Sequence, residues 1–175
     1  MEANGLPPPP PPAAPGDVVD PGLVRLLPGV EEGCRALKAA GLALVVVSNQ
    51  GVVARGGATV EQVERVNRRL RDLLADPTRL GHSLIDAIYI CPFHPRGAVP
   101  RFTGEHPWRK PAPGMILAAA ADLGLDLARS WLIGDAERDS AAGVAAGIAP
   151  GRCLRVGAGL DFAGAAAAVA RGVGQ

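Results

Sequence analysis

The spacing of apolar positions changes several times along the chain, and each change predicts an element. Pro28 sits at a helix's favoured first position, Gly29 to Ala40 reads as a helix, and Gly41 ends it. Leu42 to Val47 is an unbroken apolar, β-branched run, the pattern of a strand covered on both faces. Ser48 to Gly57 turns polar and predicts a loop. Thr59, with Glu61 and Gln62 behind it, caps a helix that runs to about Ala75. Val60, Val63, Val66, Leu70, Leu73 and Leu74 recur there at helical spacing. Ile85 to Ile90 predicts a second strand. Cys91 to Pro113 predicts a long loop rich in Pro, Gly and His, and loops of that length inside a compact domain usually serve function. Gly114 to Leu123 reads as a helix, and Ser130 to Ile133 as a strand running into Gly134-Asp135. Ser140 to Ala146 lies in a further helix, Cys153 to Val156 forms a fourth strand, and Ala163 to Ala170 a surface helix. Strands alternating with helices predict an α/β fold: a parallel sheet with helices on both faces. Such sheets bind ligands at the carboxyl ends of their strands.

Residues 1–16 break this pattern. Pro7 to Pro12 is an unbroken proline run, which can enter neither a helix interior nor a central strand. It is expected to be a disordered or polyproline II tail ahead of a domain spanning residues 17–175. A tail of that kind could also dock into an aromatic-grooved partner.

Composition narrows the classes. The chain has 175 residues, 48% hydrophobic, with a net charge of +1. That length suits one domain with a tail. Near-neutral charge argues against a nucleic-acid partner. No apolar run reaches the roughly 18 residues of a membrane span, so no membrane partner is expected. Met1-Glu2 followed by prolines does not read as a signal peptide. Cys34, Cys91 and Cys153 are too few and too scattered for a disulfide framework, so a reducing cytoplasm is the default expectation. A monomer is expected. His82 reads as a surface residue, and Cys34 and Cys153 as core.

Three polar clusters fall at strand ends. Ser48-Asn49-Gln50 offers a hydroxyl and free amides that could hold an oxyanion, or an ordinary turn. Gly134-Asp135, with Asp139 four residues on, could ligate a hard cation or merely charge the start of a helix. Arg109-Lys110-Pro111 closes the long loop, and Lys110, one of only two lysines, opposes the dipole of the helix that follows. It could instead neutralise a bound phosphate.

Taken together and in this order, the clusters resemble the haloacid dehalogenase (HAD) superfamily of phosphatases. Four segments sharpen the likeness: LVVVSNQGVVARG (Leu44 to Gly56), CPFHP (Cys91 to Pro95), RKPAPGM (Arg109 to Met115) and IGDAERDSAAGVAAG (Ile133 to Gly147). They look like the heptose bisphosphate and histidinol phosphatase branch, over residues 23–157. The resemblance implies a three-layer HAD-like sheet without a large cap domain. It implies Mg²⁺-dependent hydrolysis of a small phosphorylated metabolite, a sugar phosphate of the heptose bisphosphate kind. Ser48 and Lys110 would be catalytic, and Asn49, Gln50, Arg55 and Arg109 would bind substrate and phosphate. Asp135 and Asp139 would serve the Mg²⁺ site.

One part of the pattern is missing. The family's attacking carboxylate belongs to an Asp-x-Asp-Gly-Thr segment at the end of a first, central strand. Counting back from Ser48 leads into the proline run, and Asp17 and Asp20 are three apart rather than two. The first strand would lie between the strand ending in Ser48 and the strand ending in Asp135. Without it, either Gly16 to Leu27 forms a makeshift strand, the two halves close up, a partner completes the sheet, or the natural chain carries the motif upstream. The last is the expectation here. A catalytically inactive remnant acting as a binding module is the rival reading, and a DNA-end phosphatase is disfavoured by charge and by few aromatics. The branch often carries a zinc clip in the long loop. Here Phe93 and Trp108 stand at ligand positions, so Cys91, His94 and His106 form at most a degenerate set and zinc is not expected.

Overall fold

The computed structural model describes residues 17–157 and 159–173. The expected proline tail at residues 1–16 lies outside them. Among the described residues six α-helices and four strands follow one another in α/β order: α1 (Val30–Ala39), β1 (Val45–Asn49), α2 (Gly51–Ala54), α3 (Val60–Leu73), β2 (Ala87–Cys91), α4 (Gly114–Leu123), β3 (Leu132–Gly134), α5 (Glu137–Ala146), β4 (Cys153–Arg155) and α6 (Phe162–Gly172). The helix starts follow local chemistry. Thr59 and Gln62 form a reciprocal capping box at α3 (Gln62 N–H to Thr59 Oγ1, 3.2 Å; Thr59 N–H to Gln62 Oε1, 2.7 Å). Asp161 caps α6.

β1 pairs with β2 and β3 with β4, both parallel. Helices cover both faces. Cys34 of α1 and Leu74, just past α3, pack on Leu44 and Val46 from one side. Leu37 of α1 and Ala166 and Val169 of α6 extend that layer over Ile133 and Leu154. Ile116 of α4 and Ala142 and Ala146 of α5 pack on Val47 and Leu132 from the other.

Three of the expected strands start two or three residues later than their hydrophobic runs, whereas β4 starts at the expected Cys153 and ends one residue early, at Arg155. Leu42 to Leu44 is an approach segment, and β1 continues through Ser48 and Asn49. The loop expected at Ser48 to Gly57 contains the short α2, whose Val52 and Val53 are buried under α3. The expected surface helix at the end has one buried face, with Ala165, Ala166 and Val169 against α1 and the sheet. His82 is exposed, Cys34 is buried in the core, and Cys153 is half-buried beside Leu132.

The segment from Asp17 to Leu27 does not form a strand. It carries one 3₁₀ turn (Pro21–Leu23) and runs outside the sheet. Val19 packs on Val52, Val53 and Val63, and Leu26 on the cluster around Cys34. The two halves do not close up either. β1 and β3 are not paired, so the described strands form two separate two-stranded sheets. A cavity of about 970 Å³ lies between them, lined from both sides by Val45, Val47, Ile133 and the facing helices.

Candidate active site

The carboxyl ends of β1 and β3 bring the predicted residues together around one side chain. Lys110 follows the long loop, and its ammonium reaches the backbone carbonyl of Val47 at 2.6 Å and Asp139 Oδ1 at 2.7 Å. The pair is nearly enclosed, at 12% and 7% side-chain exposure. Asn49 holds the lysine's backbone: its amide N–H₂ donates to Lys110 C=O and its Oδ1 accepts Lys110 N–H, both at 3.0 Å. The clamp lies next to a cis Lys110–Pro111 peptide bond. Asp139, in the first turn of α5, accepts the amide N–H of Ala136 through Oδ2 at 3.0 Å. Burial raises its carboxyl, but Lys110, the Ala136 amide and neighbouring Asp135 together hold it below the usual carboxylate range. Gly134 makes this packing possible, because a Cβ there would lie 2.5 Å from Asp139 Cβ.

The remaining predicted residues make contacts of their own. Ser48 Oγ accepts from Gln50 Nε2 at 3.0 Å, so Gln50 orients the hydroxyl. Asp135 is exposed at the end of β3. Arg55 is ion-paired with Asp17 at 2.6 Å, and Arg109 donates to the carbonyl of Phe93 at 3.0 Å. Both guanidinium groups come within 3.5 Å of where a Cβ on Gly51 would stand, so a larger residue there would press on these side-chain tips. Of the two acids considered as nucleophiles, Asp17 partners Arg55, and Asp20 caps the Pro21 turn through Gly22 N–H at 2.8 Å.

The structure does not gather the degenerate zinc set. Cys91 is fully buried, and burial pushes its thiol up. His94 Nδ1 accepts from Arg96 N–H and His106 Nδ1 from Trp108 N–H. His106 stacks on Phe93 at 4.2 Å, and Trp108 lies edge-on to Tyr89. Among the described residues no three His, Cys, Asp or Glu side chains stand together to hold a metal. The donor chemistry around Asp135 and Asp139 suits a hard cation only in part. Asp135 is open, whereas Asp139 is already neutralised by Lys110, so further oxygen donors would be required.

Sequence reasoning missed two contributors. The Val47 carbonyl carries no sequence signal, because every residue has one. Arg96 joins Arg109 and Arg55 around His94, and burial followed by these three charges lowers the imidazole's pKa. The sign follows directly. The folded state favours neutral His94, so the associated stability is fully present above the ordinary histidine value of about 6.5 and is lost as pH falls through the lower folded value. An NMR titration of His94 should give a midpoint below 6.5, and a midpoint above it would contradict the cationic surroundings.

Two parallel strand pairs set a serine, a buried lysine and two aspartates at or near their carboxyl ends, in the order of the HAD-like segments. The comparisons agree. The family described as HAD-hydrolase-like matches residues 107–157. D-glycero-β-D-manno-heptose-1,7-bisphosphate 7-phosphatase of Yersinia pestis is 41% identical over 144 residues, 82% of this chain and 74% of that protein. The Escherichia coli K12 enzyme of the same name is 41% identical over 129 residues, 74% of this chain and 65% of that one. The crystal structure of D,D-heptose 1,7-bisphosphate phosphatase from B. bronchiseptica, complexed with magnesium and phosphate, superposes with a TM-score of 0.71 at 26% identity, covering 91% of each chain. The chain belongs to the HAD-like phosphatases, in the heptose bisphosphate phosphatase branch.

Proposed function

We propose that this chain provides the phosphate-holding and metal-binding part of a Mg²⁺-dependent phosphomonoesterase acting on a sugar phosphate of the heptose 1,7-bisphosphate type. One observation carries the reading: Lys110, nearly enclosed, is held by Asn49, Asp139 and the Val47 carbonyl at the carboxyl ends of β1 and β3. Ser48 would donate to a phosphoryl oxygen and Gln50 would keep its hydroxyl aimed. Lys110 would neutralise the transferring group, as a charged donor already stripped of most of its water. Asp139 is a positioning residue, since it acts through Lys110. Arg109 and Arg96, which both act on His94, add positive charge beyond what one phosphoryl group needs, which suits a bisphosphate. Asp135 would hold Mg²⁺, which when bound screens phosphate charge and supplies Lewis acidity. The attacking carboxylate would come with the strand that β1 and β3 lack. The relatives' names and the magnesium–phosphate complex support substrate and metal. The protein is proposed to be a cytoplasmic monomer; among the described residues no helix is long and apolar enough to cross a membrane.

Calorimetry tests the binding half directly. The 175-residue chain should bind heptose 1,7-bisphosphate in the presence of Mg²⁺. Asp135→Asn should weaken the Mg²⁺ dependence by an order of magnitude or more. Equal binding of the unphosphorylated sugar, or unchanged Mg²⁺ affinity in Asp135→Asn, would overturn the reading.

A further inference from the structure

The two carbonyls that hold Arg109 belong to two residues whose rings are stacked on each other. Arg109 donates its backbone N–H to the His106 carbonyl at 2.9 Å and its guanidinium to the Phe93 carbonyl at 3.0 Å. Phe93 and His106 lie on separate arms of the long loop, yet their ring centroids are 4.2 Å apart and their planes 11° from parallel. Neighbouring rings fix the pair from both sides. Phe102 meets Phe93 edge-on at 5.7 Å, and Trp108 meets His106 edge-on at 6.2 Å. His106 Nδ1 also accepts the Trp108 N–H at 3.1 Å, which sets the plane of the imidazole. Trp108 is in turn edge-on to Tyr89 of β2, whose hydroxyl donates to Asp122 of α4 at 2.8 Å. The series of rings therefore runs from β2 and α4 out to the far arm of the loop, and the stacked pair stands in its middle.

We propose that the Phe93–His106 stack positions Arg109, and that through Arg109 it sets a preference for a bisphosphate over a monophosphate. The proposal rests on the reading of Arg109 as a substrate-binding group. The surroundings of Arg109 suit it to an anion. Arg55 is neutralised by Asp17, whereas among the described residues no carboxylate forms an ion pair with Arg109. Burial strips the guanidinium of water and lowers its pKa more than Cys91 and Glu105 raise it, with Arg138 and Arg55 adding to the fall. An anionic ligand would supply the missing counter-charge. The guanidinium is also a planar fork of donors, so fixing one N–H on the Phe93 carbonyl fixes the plane of the others. Without the stack, both carbonyls are free to drift, and Arg109 keeps its charge but loses its aim. Lys110 is anchored separately, by Asn49, Asp139 and the Val47 carbonyl, so a phosphoryl group held there should not feel the change. Phe93 and His106 are thus positioning residues, acting through Arg109.

The test compares heptose 1,7-bisphosphate with heptose 7-phosphate by calorimetry in Mg²⁺, on the full 175-residue chain and three variants. His106→Ala should weaken the bisphosphate roughly tenfold, the equivalent of about 1.4 kcal/mol, and leave the monophosphate within about twofold. His106→Phe keeps a flat ring on Phe93 and should restore most of the lost affinity. Phe93→Leu keeps the carbonyl and an apolar side chain but offers no ring face, and should repeat the loss if His106→Ala fails to fold. A second readout needs no ligand: NMR relaxation at Arg109 Nε should report an ordered guanidinium in the unaltered chain and in His106→Phe, and a mobile one in His106→Ala and Phe93→Leu. An unchanged preference in His106→Ala, equal weakening of both ligands, or no rescue by His106→Phe would overturn the positioning role. If the unaltered chain binds neither ligand, the function proposed above fails, and the Arg109 Nε relaxation alone decides the stack: equal order in all four proteins would overturn it.

Discussion

Lys110→Ala should destabilise the fold by about 3–5 kcal/mol, because it strands a nearly enclosed Asp139 carboxylate without its cation. The loss should be strongly non-additive. Removing Asp139 as well takes away the uncompensated charge, so Lys110→Ala/Asp139→Ala should be less destabilised than the two single costs combined, by about 0.5–3 kcal/mol. Urea denaturation of the four proteins measures this coupling. Additive single effects would mean that solvent already screens the pair, and that Lys110 is held by the Val47 carbonyl and Asn49 alone. Lys110→Ala should also lose phosphate-dependent ligand binding. Asp139→Asn, which keeps an oxygen near the ammonium, should retain part of it.

The second large effect is expected at Gly134. An alanine there would press its methyl to within 2.5 Å of Asp139 Cβ and 2.9 Å of Oδ2. Strand and helix are both anchored at this point, so the overlap cannot be relieved by a flexible side-chain tip. The cost should be about 1–3 kcal/mol, seen as a Tm lowered by several degrees. Displaced Asp139 should in turn loosen Lys110, so Gly134→Ala should weaken phosphate-ligand binding although position 134 offers no side chain to the ligand. Wild-type stability and binding in Gly134→Ala would show that α5 can slide away freely.

The comparison of sequence with structure follows the same residues. Thr59 and Gln62 announce α3 because a capping box is local chemistry, and α4 falls at the expected residues. The strand runs were visible as apolar stretches. Their bounds moved because pairing is settled by the partner strand: β1 extends to Asn49 where Cys91 lies opposite. The candidate residues could be picked out because Ser48 lies in β1, Asp135 directly follows β3, Asp139 lies in the first turn of α5 and Lys110 closes the loop ahead of α4. Its wiring was not. Asn49 clamps the Lys110 backbone 61 residues away, and Arg55 binds Asp17 38 residues away; neither distance leaves a local pattern. The fate of the missing strand was also beyond the sequence. Whether the halves collapse depends on how firmly the helices on both faces hold them apart, and α1 packed on α6 bridges the gap from one side.

The central claim is that Lys110, Ser48 and Asp135 make up a phosphate- and Mg²⁺-binding site. Calorimetry of heptose 1,7-bisphosphate with the 175-residue chain, in Mg²⁺ and in chelator, tests it most directly. Binding should need Mg²⁺, should be lost in Lys110→Ala and should weaken by an order of magnitude or more in Asp135→Asn. Equal binding in chelator, or undiminished binding by both variants, would contradict the account.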